Sequence, residues 1–367
     1  MLLHFRSSPD LPVSGPPVSI RGGTMVFVRR AFAIFLLLLC MSTLLSAGGT
    51  QEPTSGRKAV GSPQSGMAIL GESDASVRFR EASGRIVEIP KFPKRTVVMH
   101  NSILDLWYMA GGTSLARLRG AINVPAEAKD LPVLGSIASI DVEKIMKLEP
   151  DLLIFSGTSE YQRKISDFFA SEGVASLGIN YENYDDFRLI FDLFTRLNGR
   201  RDLYEEYLIP TQENVQSIID RVPKGVHPKV CILFASTNYV KVETEETVTG
   251  DYCKRLGAVN IYRESAFEGA GRVDLSLEYI LEQDPDFIFV TTMGDVEKCT
   301  ARIEMEVSSN PVWASLSAVK NRRFHYLDKS FSIYKPSRAY PEAFQRIAEL
   351  LYPGTDFSLG SGEGKAE

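Results

Sequence analysis

Histidine is scarce in this chain: there are four in 367 residues, and His4 lies at the extreme N-terminus. That leaves His100, His227 and His325 for a folded domain, with His227 directly before Pro228. A free zinc or manganese ion needs several imidazoles and carboxylates converging on one point, so a free-metal carrier is disfavoured and no direct metal site is expected. Cysteine is equally sparse. Cys40, Cys231, Cys253 and Cys299 form no C-x-x-C pair, which argues against structural zinc. Cys231 sits in the apolar run Val230–Phe234 and reads as a small buried hydrophobe, while a Cys253–Cys299 bridge stays open. There is no G-x-S-x-G elbow, P-loop or G-x-G-x-x-G turn, so neither a serine hydrolase nor a nucleotide enzyme is indicated. No long basic run is present and the net charge is −5, which argues against nucleic acid as a partner.

The composition is that of an ordinary globular protein, 44% hydrophobic and 24% charged, and the length suffices for two lobes with separate cores. Arg29 and Arg30 precede an apolar run from Ala31 to Leu45, then Ser46-Ala47-Gly48-Gly49. That order reads as a secretory signal over residues 1–47, with Met25 as an alternative start. The run is shorter than a spanning helix requires. Cys40 lies inside the apolar stretch without the small residues a lipidation site favours, so cleavage after Ala47 is the main expectation and a lipid anchor stays open. Residues 48–75, rich in Gly, Ser, Pro and Gln, read as a disordered tether, and 354–367 as a flexible tail.

Beyond the tether, short apolar runs alternate with helical patterns. Strands are predicted at Thr96–Met99, Leu152–Phe155, Ala175–Ile179, Val230–Phe234, Phe287–Val290 and Arg323–Leu327, a rhythm that implies parallel sheets covered by helices. From Asp185 to Arg221 the pattern is helical without a strand, broken at Asn198-Gly199 and carrying Pro210 as a predicted kink. An internal echo also stands out. The stretch Val142 to Phe155 (VEKIMKLEPDLLIF) is repeated in kind at Leu277 to Val290 (LEYILEQDPDFIFV). Asp141 and Ser276 are suited to cap the two helices, which places Glu143 and Glu278 in first turns, where the helix dipole favours negative charge. Two similar lobes in one chain explain the repeat economically.

These pieces, with Gly84 to Pro90, Leu134-Gly135-Ser136, Gly250-Asp251, Leu256 to Asn260 and Asn310 to Trp313, resemble in order and spacing the periplasmic binding proteins of ABC importers for iron–siderophore complexes, haem and cobalamin. The likeness covers residues 77 to 353. It implies an α/β fold of two parallel-sheet lobes, 76–200 and 223–353, joined by a long connecting helix at 201–222, with the ligand cleft between them. By position in the motif, Glu143 and Glu278 match the glutamates with which the family docks on arginines of the inner-membrane permease dimer. A binding protein rather than an enzyme is implied: a periplasmic or exported monomer without cofactor, whose cargo is a ferric siderophore or haem, or a corrinoid in the alternative. Export alone would equally suit a hydrolase, and the same fold would suit a ligand sensor.

Open α/β sheets bind at the carboxyl ends of their strands. The loops there contribute His100, Asn101, Tyr161, Tyr181, Tyr239 and Met293 as candidate ligand-binding residues, and Arg272 lies in a segment resembling a cleft-lining loop of the family. Tyrosine faces and a cation suit a large anionic or aromatic chelate, and His100 or a cleft tyrosine could ligate haem iron. Ile137 stands where an aromatic would help a flat corrin stack, which weakens the cobalamin reading.

Overall fold

Six apolar runs carry the alternation of the sequence, and each forms a strand that pairs in parallel with another of the six. The computed structural model of the protein describes residues 66–263 and 270–359. The expected export signal, Met25 and Cys40 lie outside those residues, as do most of the tether and the end of the tail. The described part of the expected tether is ordered, because Ala68–Glu72 pairs as a strand with Ser76–Arg80 and Met67 is buried in the core. In the expected tail Phe357 is likewise buried, packed on Tyr352.

In the N-terminal part, β1 (Ala68–Glu72), β2 (Ser76–Arg80) and β3 (Ile86–Pro90) form an antiparallel meander. Then follow β4 (Thr96–Val98), α1 (Asn101–Met109), the short β5 (Gly135–Ser136) and β6 (Ser139–Ile140), α2 (Val142–Lys147), β7 (Leu152–Ser156), α3 (Glu160–Ser171) and β8 (Ala175–Ile179). A parallel sheet of order β4-β7-β8 results. The helical stretch comprises α4 (Tyr184–Leu197), α5 (Arg201–Leu203), a π-helical turn at Tyr204–Leu208 and α6 (Ile209–Asp220). Pro210 occupies the first turn of α6, directly after the π turn. Such a turn is where a helix tolerates a residue without an N–H.

The C-terminal part runs through β9 (Lys229–Ser236), β10 (Val240–Glu243), α7 (Val248–Arg255), β11 (Val259–Asn260), β12 (Arg272–Asp274), α8 (Leu277–Gln283) and β13 (Phe287–Met293). It ends with α9 (Val296–Ile303), α10 (Ser317–Lys320), β14 (Phe324–Tyr326), α11 (Lys329–Ser332) and α12 (Tyr340–Leu351). Its sheet has the order β12-β10-β9-β13-β14, with β11 also on β9.

The internal echo has a physical basis in both copies. Asp141 caps α2 by accepting the Lys144 N–H, and Ser276 caps α8 by accepting the Tyr279 N–H. Each helix then ends on a left-handed residue, Glu149 at φ 43° and Asp284 at φ 42°, before its proline. The aspartate after the proline ties the new strand to its neighbour: Asp151 accepts the amides of Lys94 and Arg95, and Asp286 that of Lys229. Proline stops the helix, and aspartate sets the register of the strand that follows.

Strand residues alternate between two cores, as expected for sheets buried on both faces. Ile154, Leu177, Val230, Ile232, Phe287 and Phe289 face a central core shared with α4, α6, α7 and α12. Their neighbours face separate outer cores, Leu153 and Phe155 in the N-terminal lobe, and Cys231, Leu233, Ile288 and Val290 in the C-terminal lobe. The central core holds both lobes together. Tyr184 of α4 packs on Tyr340 and Phe344 of α12 at ring distances of 4.9 and 5.5 Å. Arg255 of α7 pairs with Asp251 beside it and with Asp185 of α4. Cys231, Cys253 and Cys299 are buried free thiols. The bridge left open by the sequence is not formed, since Cys253 belongs to the central core and Cys299 to an outer one.

Candidate functional site

The carboxyl ends of β4, β8 and β13 converge on a cleft with two connected chambers. One, of about 420 Å³, is lined by His100, Asn101, Arg119, Ile122, Ile137, Glu182, Arg272, Met293, Tyr334 and Lys335, among others. The other, of about 630 Å³, is more acidic, with Glu182, Asp186, Glu243 and Glu246 in its wall. Glu182, Arg272, Ile333 and Lys335 belong to both.

Four of the residues expected from sequence therefore meet in one chamber: His100, Asn101, Arg272 and Met293. His100 ends the loop after β4, and its Nδ1 accepts the Ser102 N–H at 3.3 Å, capping α1. Burial pushes its pKa down to about 4, with Lys335 adding to the shift and Glu182 opposing it. The ring is therefore neutral at pH 7 and carries its proton on Nε2, because Nδ1 is an acceptor. Asn101 presents a buried Oδ1 that has no hydrogen-bond partner among the described residues. Met293, at the end of β13, is 45% exposed and offers a thioether.

Three expected tyrosines line neither chamber. The Tyr161 hydroxyl accepts the Ile140 N–H at 2.9 Å, bracing β6 against α3. Tyr181 is buried beneath Lys335, whose Nζ stands 5.4 Å from the ring centre. Tyr239 lies in the turn between β9 and β10 and packs on Phe234. Glu143 and Glu278 are away from the cleft, exposed in the first turns of α2 and α8. Glu143 pairs with Lys147 one turn on, both side chains more than 70% exposed, so that pair is held only weakly.

The charged groups of the cleft are mostly ones the sequence did not announce. Lys335, after α11, donates to both the carboxylate and the carbonyl of Glu182, at 3.1 and 3.2 Å. Asn123 links the same segment to the N-terminal lobe by bonds to Ser102 and to the Lys335 carbonyl. Arg272 meets the fully buried Glu243 at 2.7 Å. Burial raises the Glu243 pKa, and Arg272 counteracts that shift. Arg119 is exposed, and among the described residues its guanidinium has no hydrogen-bond or ion-pair partner. Position after a strand could have flagged Glu182. Nothing in the local pattern marks Arg119 or Lys335. Among the described residues no cluster of three or more His, Cys, Asp or Glu is arranged for a metal ion, and no helix is long and apolar enough to cross a membrane.

A family model described as a periplasmic binding protein matches residues 97–331. The iron(3+)-hydroxamate-binding protein FhuD of Bacillus subtilis is 24% identical over 313 residues, covering 82% of this chain and 90% of that protein. The solved structure of Staphylococcus aureus SirA complexed with staphyloferrin B superposes with a TM-score of 0.61 at 19% identity, over 77% of this chain and 99% of that one. The structure of S. aureus IsdE complexed with heme gives 0.61 at 19% identity, over 70% and 98%. At such identities the structural likenesses establish the two-lobed fold.

Proposed function

Because this chain belongs to the periplasmic binding protein family, we propose that it is the extracytoplasmic solute-binding component of an ABC importer, not an enzyme, and that its cargo is a ferric chelate carrying negative charge. The observation behind the cargo is the convergence of Arg119, Arg272 and Lys335 on one chamber. They come from three distant segments, and Arg119 is uncommitted. Guanidinium groups match carboxylate or other oxygen-rich anions with paired N–H donors, while Ile122, Ile137 and Met293 supply apolar surface for the body of the chelate. The relative whose name specifies iron(3+)-hydroxamate supports an iron chelate as the class.

Haem is the second reading. Met293 and Tyr334 both line the chamber, and thioether and phenolate groups are among the ligands of haem iron. His100 favours this reading less, since its Nδ1 accepts the Ser102 N–H and its Nε2 therefore carries the ring proton, which leaves no lone pair for iron.

Delivery would use Glu143 and Glu278, exposed on separate lobes and matched by motif position to the family's docking glutamates. Titration of the purified protein with ferric citrate, a ferric trihydroxamate, haemin and cobalamin, followed by tryptophan fluorescence and visible absorption, tests the proposal. Saturable one-to-one binding of ferric citrate is expected; binding of only the uncharged trihydroxamate, of only cobalamin, or of none of the four would refute it. A Soret shift abolished by Met293→Ala would move the assignment to haem.

A further inference from the structure

We infer that Glu243 is a positioning residue of the cleft: it holds the Arg272 guanidinium in place for the ligand, so that chelate affinity depends on a fully buried carboxylate. This rests on the reading of the cleft as a chelate site.

Glu243 is the last residue of β10 and Arg272 the first of β12, and they are register partners across the sheet. Nε and Nη2 of Arg272 both donate to one oxygen, Oε1, at 3.0 and 2.7 Å. A face of the same guanidinium lies on Phe234, 3.8 Å from the ring centre. One edge and one face are thus fixed. A guanidinium has five N–H groups, and this grip uses two, leaving Nη1 and one Nη2 proton for the cavities that Arg272 lines on both sides.

The end of β10 is held as firmly as the side chain. Asn260 donates to the Glu243 carbonyl at 2.9 Å, and Thr244 bonds Gly271 and Ala270 through its amide and hydroxyl. Thr247 completes the surround of the carboxylate at 3.4 Å. A buried carboxylate with a half-exposed partner is a poor source of stability, because desolvation offsets most of the attraction. As a device for orientation it is effective, since an arginine fixed before binding loses little freedom when the ligand arrives. Lysine could not substitute, having neither the fork nor the flat face.

Isothermal titration with ferric citrate, a ferric trihydroxamate and haemin tests this on wild type, Glu243→Gln, Arg272→Ala, Arg272→Lys and the Gln/Ala double variant. If wild type binds none of the probes, the cleft reading fails and takes this inference with it. For a probe that binds, Glu243→Gln should weaken affinity by about tenfold, the scale of a charge-assisted hydrogen bond. The same change should add nothing in the Arg272→Ala background. Arg272→Lys, at a half-exposed site where folding is not at risk, should bind like Arg272→Ala. Wild-type affinity in Arg272→Lys would overturn the inference. So would unchanged affinity in Glu243→Gln, or an equal loss from that change with and without Arg272.

Discussion

His100 shows how one side chain serves packing and site together, and its titration makes that visible. The unfolded chain protonates this ring near its ordinary pKa of about 6.5, whereas the native ring stays neutral down to about 4. Its contribution to stability is therefore complete above pH 6.5 and is lost as pH falls from 6.5 towards 4. His100→Asn keeps a capping acceptor but does not titrate. Thermal unfolding should show the variant gaining on wild type steadily across that window, and a constant difference from pH 8 to pH 4 would exclude the effect. Glu182 offers a second test. Its carboxylate occupies Lys335, so it competes with any anionic ligand for that ammonium. The pair is partly exposed, so the competition is modest, and Glu182→Gln should tighten binding of an anionic ferric chelate by about two- to fivefold. Weaker binding would mean that the pair organises the cleft instead.

At the scale of elements, the repeated helix–Pro-Asp–strand unit is where sequence and structure agree most closely, because its determinants are local. A cap, a left-handed residue before proline and an aspartate reaching the adjacent strand all lie within a dozen residues. Asp141→Ala and Ser276→Ala should each cost about 1 kcal/mol, the usual loss of an N-cap acceptor. Chemical denaturation would register both as lower midpoints at unchanged slope. The strands buried on both faces were legible for a similar reason: their apolar runs are continuous. By contrast, β10 and β12 were not anticipated. The first is four residues long with only Val240 and Val242 apolar, and the second is three residues long with one apolar residue, so neither is long enough for its alternation to stand out. These two strands bring Glu243 to Arg272, which is why the charged frame of the cleft could not be read from spacing. Tyr161 and Tyr181 mark the converse limit. Each follows a strand, as a ligand-binding tyrosine would, yet hydrogen bonding to Ile140 and burial under Lys335 turn them to structural use.

The molecule as a whole must present both lobes to one partner if it serves an importer. The central core favours this: α4, α6, α7 and α12 share it, and Arg255 spans from Asp251 to Asp185 across it. Lobes joined by a packed core keep nearly constant spacing, so groups on their surfaces can act as a fixed pair. Glu143 and Glu278 meet that description, each on a helix with its own N-cap and neither needed by a core or by the cleft. Their local interactions are weak, an exposed pair with Lys147 for Glu143 and a long contact with the Ser276 hydroxyl for Glu278. Reversing either charge should therefore leave the fold intact, at a cost of about 1 kcal/mol from the helix dipole. Glu143→Lys with Glu278→Lys should abolish chelate uptake by cells while the purified variant binds the chelate as wild type does. Either single reversal should reduce uptake partially, because complementary charges chiefly govern encounter rate and register. Full uptake by the double variant would remove these glutamates from the docking surface, and loss of chelate binding would show that they act on the cleft instead.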